Sequence, residues 1–179
     1  MNKIGIIIGS VRDGRVGEFI AKHYFELASK HTNVAFDLID LKQINLPLLN
    51  EPYPAAANNY KYQHTKDWSK IISEYKGFVV ITPEYNHGYP AALKNAFDYL
   101  YLEWKDKPIV LVGYGYSSSG GSATMQLKPV LQNLNLKHID ADILINLNLN
   151  LKDGLFVTSE LLDNQINTQI EQLIKAVLS

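Results

Sequence analysis

The sequence predicts an α/β fold in three layers: a five-stranded parallel sheet with helices on both faces. Two observations carry that prediction. Short β-branched runs alternate along the chain with segments whose apolar residues recur at helical spacing, which is the pattern of βαβ units joined by right-handed crossovers. Three of these runs, Ile4–Ile8 (IGIII), Phe78–Thr82 (FVVIT) and Pro108–Val112 (PIVLV), are almost wholly apolar, as strands covered on both faces must be.

Each element follows from its own stretch of sequence. Lys3–Ile8 forms the first strand and enters the loop GSVRDGRVG. Phe19, Ile20, His23, Tyr24 and Leu27 then recur at the spacing of a helix. Val34–Asp40 reads as the second strand, and Leu41–Pro54 as a proline-punctuated loop with no helical face. Tyr60–Tyr75 is expected to be a helix with Trp68, Ile71 and Ile72 inward. The third strand, Phe78–Thr82, runs into PEYNHGY; Pro90 suits a first helical turn, and Leu93, Ala96 and Phe97 supply the face behind it. The fourth strand, Pro108–Val112, leads through GYGYSSSGG to a helix over Met125–Leu134. A fifth strand is placed at Ile139–Ile145, followed by a polar, Asn-rich stretch to Asp153 and a closing helix from Ser159 to Leu178. Five strands favour the flavodoxin-like order 2-1-3-4-5 over the six-stranded dinucleotide fold. With 46% hydrophobic and 20% charged residues, the 179 positions suit one domain with a sizeable core.

In such a sheet the ligand crevice lies beyond the carboxyl ends of the strands, after strands one, three and four. Those are the three loops of unusual composition. In the first, Gly9, Gly14 and Gly17 leave the backbone open, Ser10 offers a hydroxyl, and Arg12 and Arg15 can fork onto phosphate at a helix N-terminus. The pattern is neither GxGxxG nor a P-loop, and a solvated turn with two surface arginines is the alternative. In the second, Pro83, Glu84, Tyr85 and Asn86 combine a stiff backbone, an aromatic face and hydrogen-bonding groups, which suits a flat heteroaromatic ring. The plain alternatives are packing for Tyr85 and a solvated or helix-capping carboxylate for Glu84. His87 reads as a surface or hydrogen-bonded residue. In the third, small residues let N–H donors approach a ring carbonyl or developing negative charge.

Other chemistries lack their signatures. Lys plus Arg number 17 against 18 Asp plus Glu, a net charge of -1, so nothing recommends nucleic acid or an anionic membrane as partner. There is no cysteine, the five histidines are scattered without metal-ligand spacing, and no GxSxG elbow occurs. No apolar stretch reaches spanning length, and a cytoplasmic protein is expected. Glu51 and Tyr53, with Trp68 and Trp104, either wall a pocket or interface or belong to the core.

The strings GSVRDGRVGEFIA, LPLLNEPYP, TPEYNHGYPAALKNAFDYL and GYGYSSSGG, in this order and spacing, resemble the NADPH-dependent FMN reductase family of flavodoxin-like proteins, which includes quinone, azo-dye and chromate reductases. The resemblance implies FMN with its phosphate at Ser10, Arg12, Arg15 and the backbone through Val16 and Gly17. It places the flavin ring against Pro83, Glu84, Tyr85 and Asn86 on one side and Gly115, Tyr116, Ser117 and Gly120 on the other. It further implies NADPH or NADH as co-substrate, a small-molecule electron acceptor such as a quinone or flavin, and a homodimer or homotetramer. The flavin would carry the chemistry, so no side chain is nominated as catalytic. Two other readings of a flavin site are a single-electron carrier and a flavin-binding module without turnover. Many members have Ser and Asn where this chain has Arg15 and Gly17, and an Arg where Ser122 and Ala123 follow Gly121.

Overall fold

In the computed structural model, which describes residues 1–179, strands β1 (Lys3–Ile8), β2 (Ala35–Asp40), β3 (Gly77–Pro83) and β4 (Pro108–Gly115) lie parallel in the order β2-β1-β3-β4. The fifth position, beside β4, is filled by two short strands, β5 (Lys137–His138) and β6 (Ile143–Asn146). Seven helices follow in chain order: α1 (Gly17–Ala28), α2 (Leu41–Ile44), α3 (Gln63–Ser73), α4 (Ala91–Asp98), α5 (Gly121–Asn133), α6 (Leu147–Asn150) and α7 (Glu160–Leu178). A hairpin of β7 (Leu151–Lys152) and β8 (Leu155–Phe156) separates the last two. This is the expected flavodoxin-like order.

Side chains alternate across a strand, so each central strand feeds two cores. Ile4, Ile6, Ile8, Val79, Ile81, Val110 and Val112 pack with α1 and α7. Ile7, Phe78, Val80, Ile109 and Leu111 pack on the other face with α3, α4 and α5. At the centre of that second core the Trp104 ring lies 5.1 Å from Phe78, 4.9 Å from Phe97 and 6.1 Å from Trp68. Both indole N–H groups are satisfied, Trp68 by the Ala96 carbonyl at 2.9 Å and Trp104 by that of Phe97 at 3.3 Å. The two tryptophans are therefore core, whereas Tyr53 is 54% exposed.

The structure corrects four expectations. The fifth strand is broken between His138 and Ile143, because the buried amide of Gln169 on α7 enters the gap and donates to the carbonyls of Leu111 (3.1 Å) and Ala141 (2.5 Å). Tyr24 donates to the same amide's oxygen at 3.0 Å, so the interruption costs no buried hydrogen bond. Leu41–Ile44 is a helical turn within the expected loop, begun by the Asp40 side chain accepting from Lys42 N–H. Pro90 stands just outside its helix with an extended ψ of 144°, as the cap residue. The polar, Asn-rich stretch after β6, to which the sequence assigned no strand or helix, holds α6 and the β7–β8 hairpin.

Candidate functional site

Register places the three loops side by side. Ile8 pairs with Ile81 across β1 and β3, and Pro83 with Tyr114 across β3 and β4, so the chain leaves all three strands at one level. Beyond them lies a crevice of about 640 Å³. Arg12, Arg15, Val16, Pro83, Glu84, Tyr85, Asn86, Gly115, Tyr116 and Ser117 all line it.

The first loop is an array of free donors. None of the main-chain N–H groups from Ser10 to Val16 donates to a backbone carbonyl, and only that of Arg12 has a side-chain contact, 3.4 Å from Ser10 Oγ. The head of α1 adds to this, since its cap residue Val16 has no side-chain acceptor to offer the first turn. Gly17 is required here because a Cβ would come within 2.5 Å of the Tyr114 hydroxyl beneath it. That hydroxyl is buried and makes no well-formed hydrogen bond, and burial raises the phenol's pKa above its ordinary value against the opposing pull of the Gly17 N–H and the Ser10 hydroxyl.

The two arginines of this loop do different things. Arg15, with a side chain 5% exposed, is turned inward onto Asp40 at 2.5 Å and the Ser10 carbonyl at 3.1 Å. It clamps the loop to the end of β2. Arg12 is exposed, forms no ion pair, and lies over the Tyr85 ring with its guanidinium carbon 5.5 Å from the centroid. The neighbouring Lys42 is paired with Asp13. Arg12 is thus the cation on this loop left without a carboxylate.

The second loop is a tight turn. Tyr85 and Gly88 exchange both main-chain hydrogen bonds, at 2.8 and 3.0 Å, around Asn86 and His87, whose φ values of 50° and 63° are left-handed. Tyr85 Oη reaches Ser10 Oγ, buried below the first loop, at 2.7 Å. Glu84 lines the crevice with its carboxylate tied to the start of α5. Its carboxylate accepts from Ser122 N–H at 2.9 Å at the start of α5, which is the helix-capping alternative. Burial would raise its pKa, but the Ser118 hydroxyl and the Ser122 and Ala123 N–H groups outweigh that and hold it below the ordinary value. His87, 76% exposed, stands 3.3 Å from the other carboxylate oxygen.

The third loop is drawn tight by Gly120, whose φ is 88° and where a Cβ would lie 2.2 Å from Tyr114 N. The N–H groups of Tyr116 to Gly120 have no main-chain acceptor. Ser10, Gly17 and Gly120 accordingly support the crevice from behind. His87, Tyr114, Ser118, Leu147, Leu151 and Gly154 also line it and were missed. Tyr114 could have been found by extending the alternation of Val110 and Val112, and Gly154 from the turn signal Asp153-Gly154. As a donor set, the unpaired N–H groups and Arg12 fit a phosphate, and Tyr85, Tyr116 and the apolar far side fit a flat ring.

Sheet order and crevice together define a flavodoxin-like α/β protein with its binding loops where that class takes its ligand. Residues 2–147 match the family model for NADPH-dependent FMN reductase, so the chain belongs to the NADPH-dependent FMN reductase family, oxidoreductases that work with FMN and NAD(P)H. It is 42% identical over 137 residues to an NAD(P)H-dependent FMN reductase of Schizosaccharomyces pombe, covering 75% of this chain and 68% of that one. A 2-hydroxy-1,4-benzoquinone reductase of a Burkholderia species is 29% identical over 127 residues, covering 66% of this chain and 63% of that one. In fold the chain is similar to FerB, a flavoenzyme NAD(P)H:(acceptor) oxidoreductase of Paracoccus denitrificans, with a TM-score of 0.80, 21% identity, and 99% and 98% of the two chains covered.

Proposed function

We propose that the chain is an FMN-dependent NAD(P)H oxidoreductase that passes hydride from NADPH or NADH through bound FMN to a quinone, a flavin or a similar small acceptor. The observation that carries this reading is the run of N–H groups from Ser10 to Val16 without a main-chain acceptor, set beside Arg12 at one end of a crevice whose other walls include Tyr85 and Tyr116. One end suits an anion and the rest a planar ring.

FMN, when bound, supplies the two-electron chemistry; the chain's residues supply its place. The first loop's N–H groups and Arg12 would hold the phosphate, with Arg15 fixing the loop through Asp40. Pro83 to Asn86 would form the floor, and the free N–H groups of Tyr116 to Gly120 would face the polar edge of the ring, where negative charge gathers on reduction. Glu84 is engaged by α5 and His87 is open to water, so the proton that accompanies hydride to a quinone comes from solvent. The same reading takes residues 1–179 as a single cytoplasmic FMN-binding domain forming a homodimer or homotetramer. Exposed Leu48, Leu49 and Tyr53 support the assembly by offering an apolar surface. No helix is long and apolar enough to cross a membrane.

Stopped-flow mixing of the FMN-loaded protein with NADPH and with NADH tests the proposal. Bleaching of the flavin absorbance, reversed by a quinone, is expected; no bleaching with either nucleotide overturns it.

A further inference from the structure

The crevice has a fourth wall that the three binding loops do not supply. Leu147, Leu151 and Gly154 line it from the far side, and the last two lie beyond the residues 2–147 that match the family model. Asp153 and Gly154, with φ of 50° and 78°, form the two-residue turn of the β7–β8 hairpin. Leu151 lies opposite Phe156, and Lys152 opposite Leu155. Cross-strand partners share a face. Leu151 and Phe156 accordingly pack on the core between the sheet and α1 and α7, and Lys152 and Leu155 stay exposed.

The hairpin is held in place. Asn150 and Val157 close its base with two hydrogen bonds, at 2.9 and 3.1 Å. The Phe156 ring lies 5.8 Å from that of His23, whose Nε2 is 2.7 Å from Asp163. Asn148 Nδ2 donates to the Tyr116 carbonyl at 3.3 Å, joining this segment to the third loop.

We propose that this hairpin selects the electron acceptor, favouring planar quinones that carry apolar substituents over small or charged ones. The proposal rests on the reading that the crevice holds FMN. The flavin is common to the family and is met by loops inside the matched residues. The donors suited to the flavin's phosphate and polar edge come from the other loops, which leaves the apolar hairpin wall to meet the second ligand. The wall's lining, Leu151 and Gly154 with Leu147 of α6 beside them, presents no charge, so it rewards apolar area alone.

The test uses oxidised, FMN-loaded protein without reductant, so that no turnover occurs. Flavin fluorescence is followed during titration with a methyl-substituted naphthoquinone and with unsubstituted benzoquinone. The naphthoquinone is expected to bind more tightly. Leu151→Asn should weaken it about tenfold and leave benzoquinone within about twofold. A second variant, with residues 152–155 replaced by two glycines, removes the tip while Asn150 and Val157 still close the base. It should act in the same direction, and it carries the test if Leu151→Asn does not fold. The proposal is overturned if neither variant changes naphthoquinone binding. It is equally overturned if FMN affinity falls with that of the quinone, because the hairpin then holds the flavin. A changed oligomeric mass in light scattering would assign the wall to a subunit contact instead. Failure of NADPH and NADH to bleach the wild-type flavin is a separate result that removes the reductase reading.

Discussion

Ser10 Oγ stands 2.7 Å from Tyr85 Oη, so the loop after β1 and the loop after β3 meet through two hydroxyls at the floor of the crevice. Ser10 is fully buried, and its remaining polar neighbours are the Arg12 N–H at 3.4 Å and the buried Tyr114 hydroxyl. Tyr85→Phe keeps the ring beneath Arg12 but leaves the serine hydroxyl without its closest partner. A loss of about 1–3 kcal/mol in unfolding free energy is expected, measured by urea denaturation of the FMN-free protein.

Arg12 has no carboxylate partner, so its removal should cost the free protein little. Arg12→Ala is expected to leave the urea midpoint of the FMN-free protein close to wild type and to weaken FMN by about 1.5–3 kcal/mol, a tenfold to hundredfold loss. Riboflavin, which lacks the phosphate, should bind the two proteins alike. Parallel fluorescence titrations with the two flavins separate a phosphate contact from a general disturbance of the crevice.

Arg15 and Asp40 are 5% and 10% exposed and hold each other at 2.5 Å. Removing Asp40 leaves the buried Arg15 with only the longer, more exposed carboxylate contact to Glu18 at 3.5 Å. Asp40→Ala should therefore destabilise by about 3–5 kcal/mol, and Arg15→Met added to it should recover part of that loss. A double-mutant cycle in guanidinium chloride checks this. A loss in the double variant equal to the sum of the two single losses would show that the pair is not coupled.

Glu84 supplies a pH dependence whose sign can be worked out. Burial opposes its ionisation, but the Ser118, Ser122 and Ala123 donors prevail and place its folded-state pKa below the ordinary 4.5. A depressed carboxyl contributes stability above its unfolded pKa and loses that contribution as pH falls through the folded one. Glu84→Gln should melt well below wild type at pH 6, and the gap should narrow as pH drops below about 4. Melting curves of both proteins across this range provide the comparison, in which the other carboxylates cancel.

The route from sequence to site was clearest where a residue's role depends on its neighbours along the chain. The runs IGIII, FVVIT and PIVLV named the central strands, and their order placed the loops. Glu84 was legible as a choice that included helix capping. Arg15 was not legible as a clamp, because Asp40 lies twenty-five positions away and nothing local to either marks the pairing. The fifth strand ran straight through Ile139–Ile145 on apolar pattern alone, and its break depends on Gln169 from the last helix.

By itself the sequence determined the alternation of strands and helices, the level at which the binding loops begin, and the chemical character of each loop. These follow from side-chain period and backbone preference, which act over a few residues. Only the tertiary structure decided which arginine stays free, that Tyr114 supports the head of α1, and that the β7–β8 hairpin closes the far side of the crevice. Those outcomes depend on burial and on partners brought together across the sheet, where a charge or hydroxyl must find its match or be left exposed.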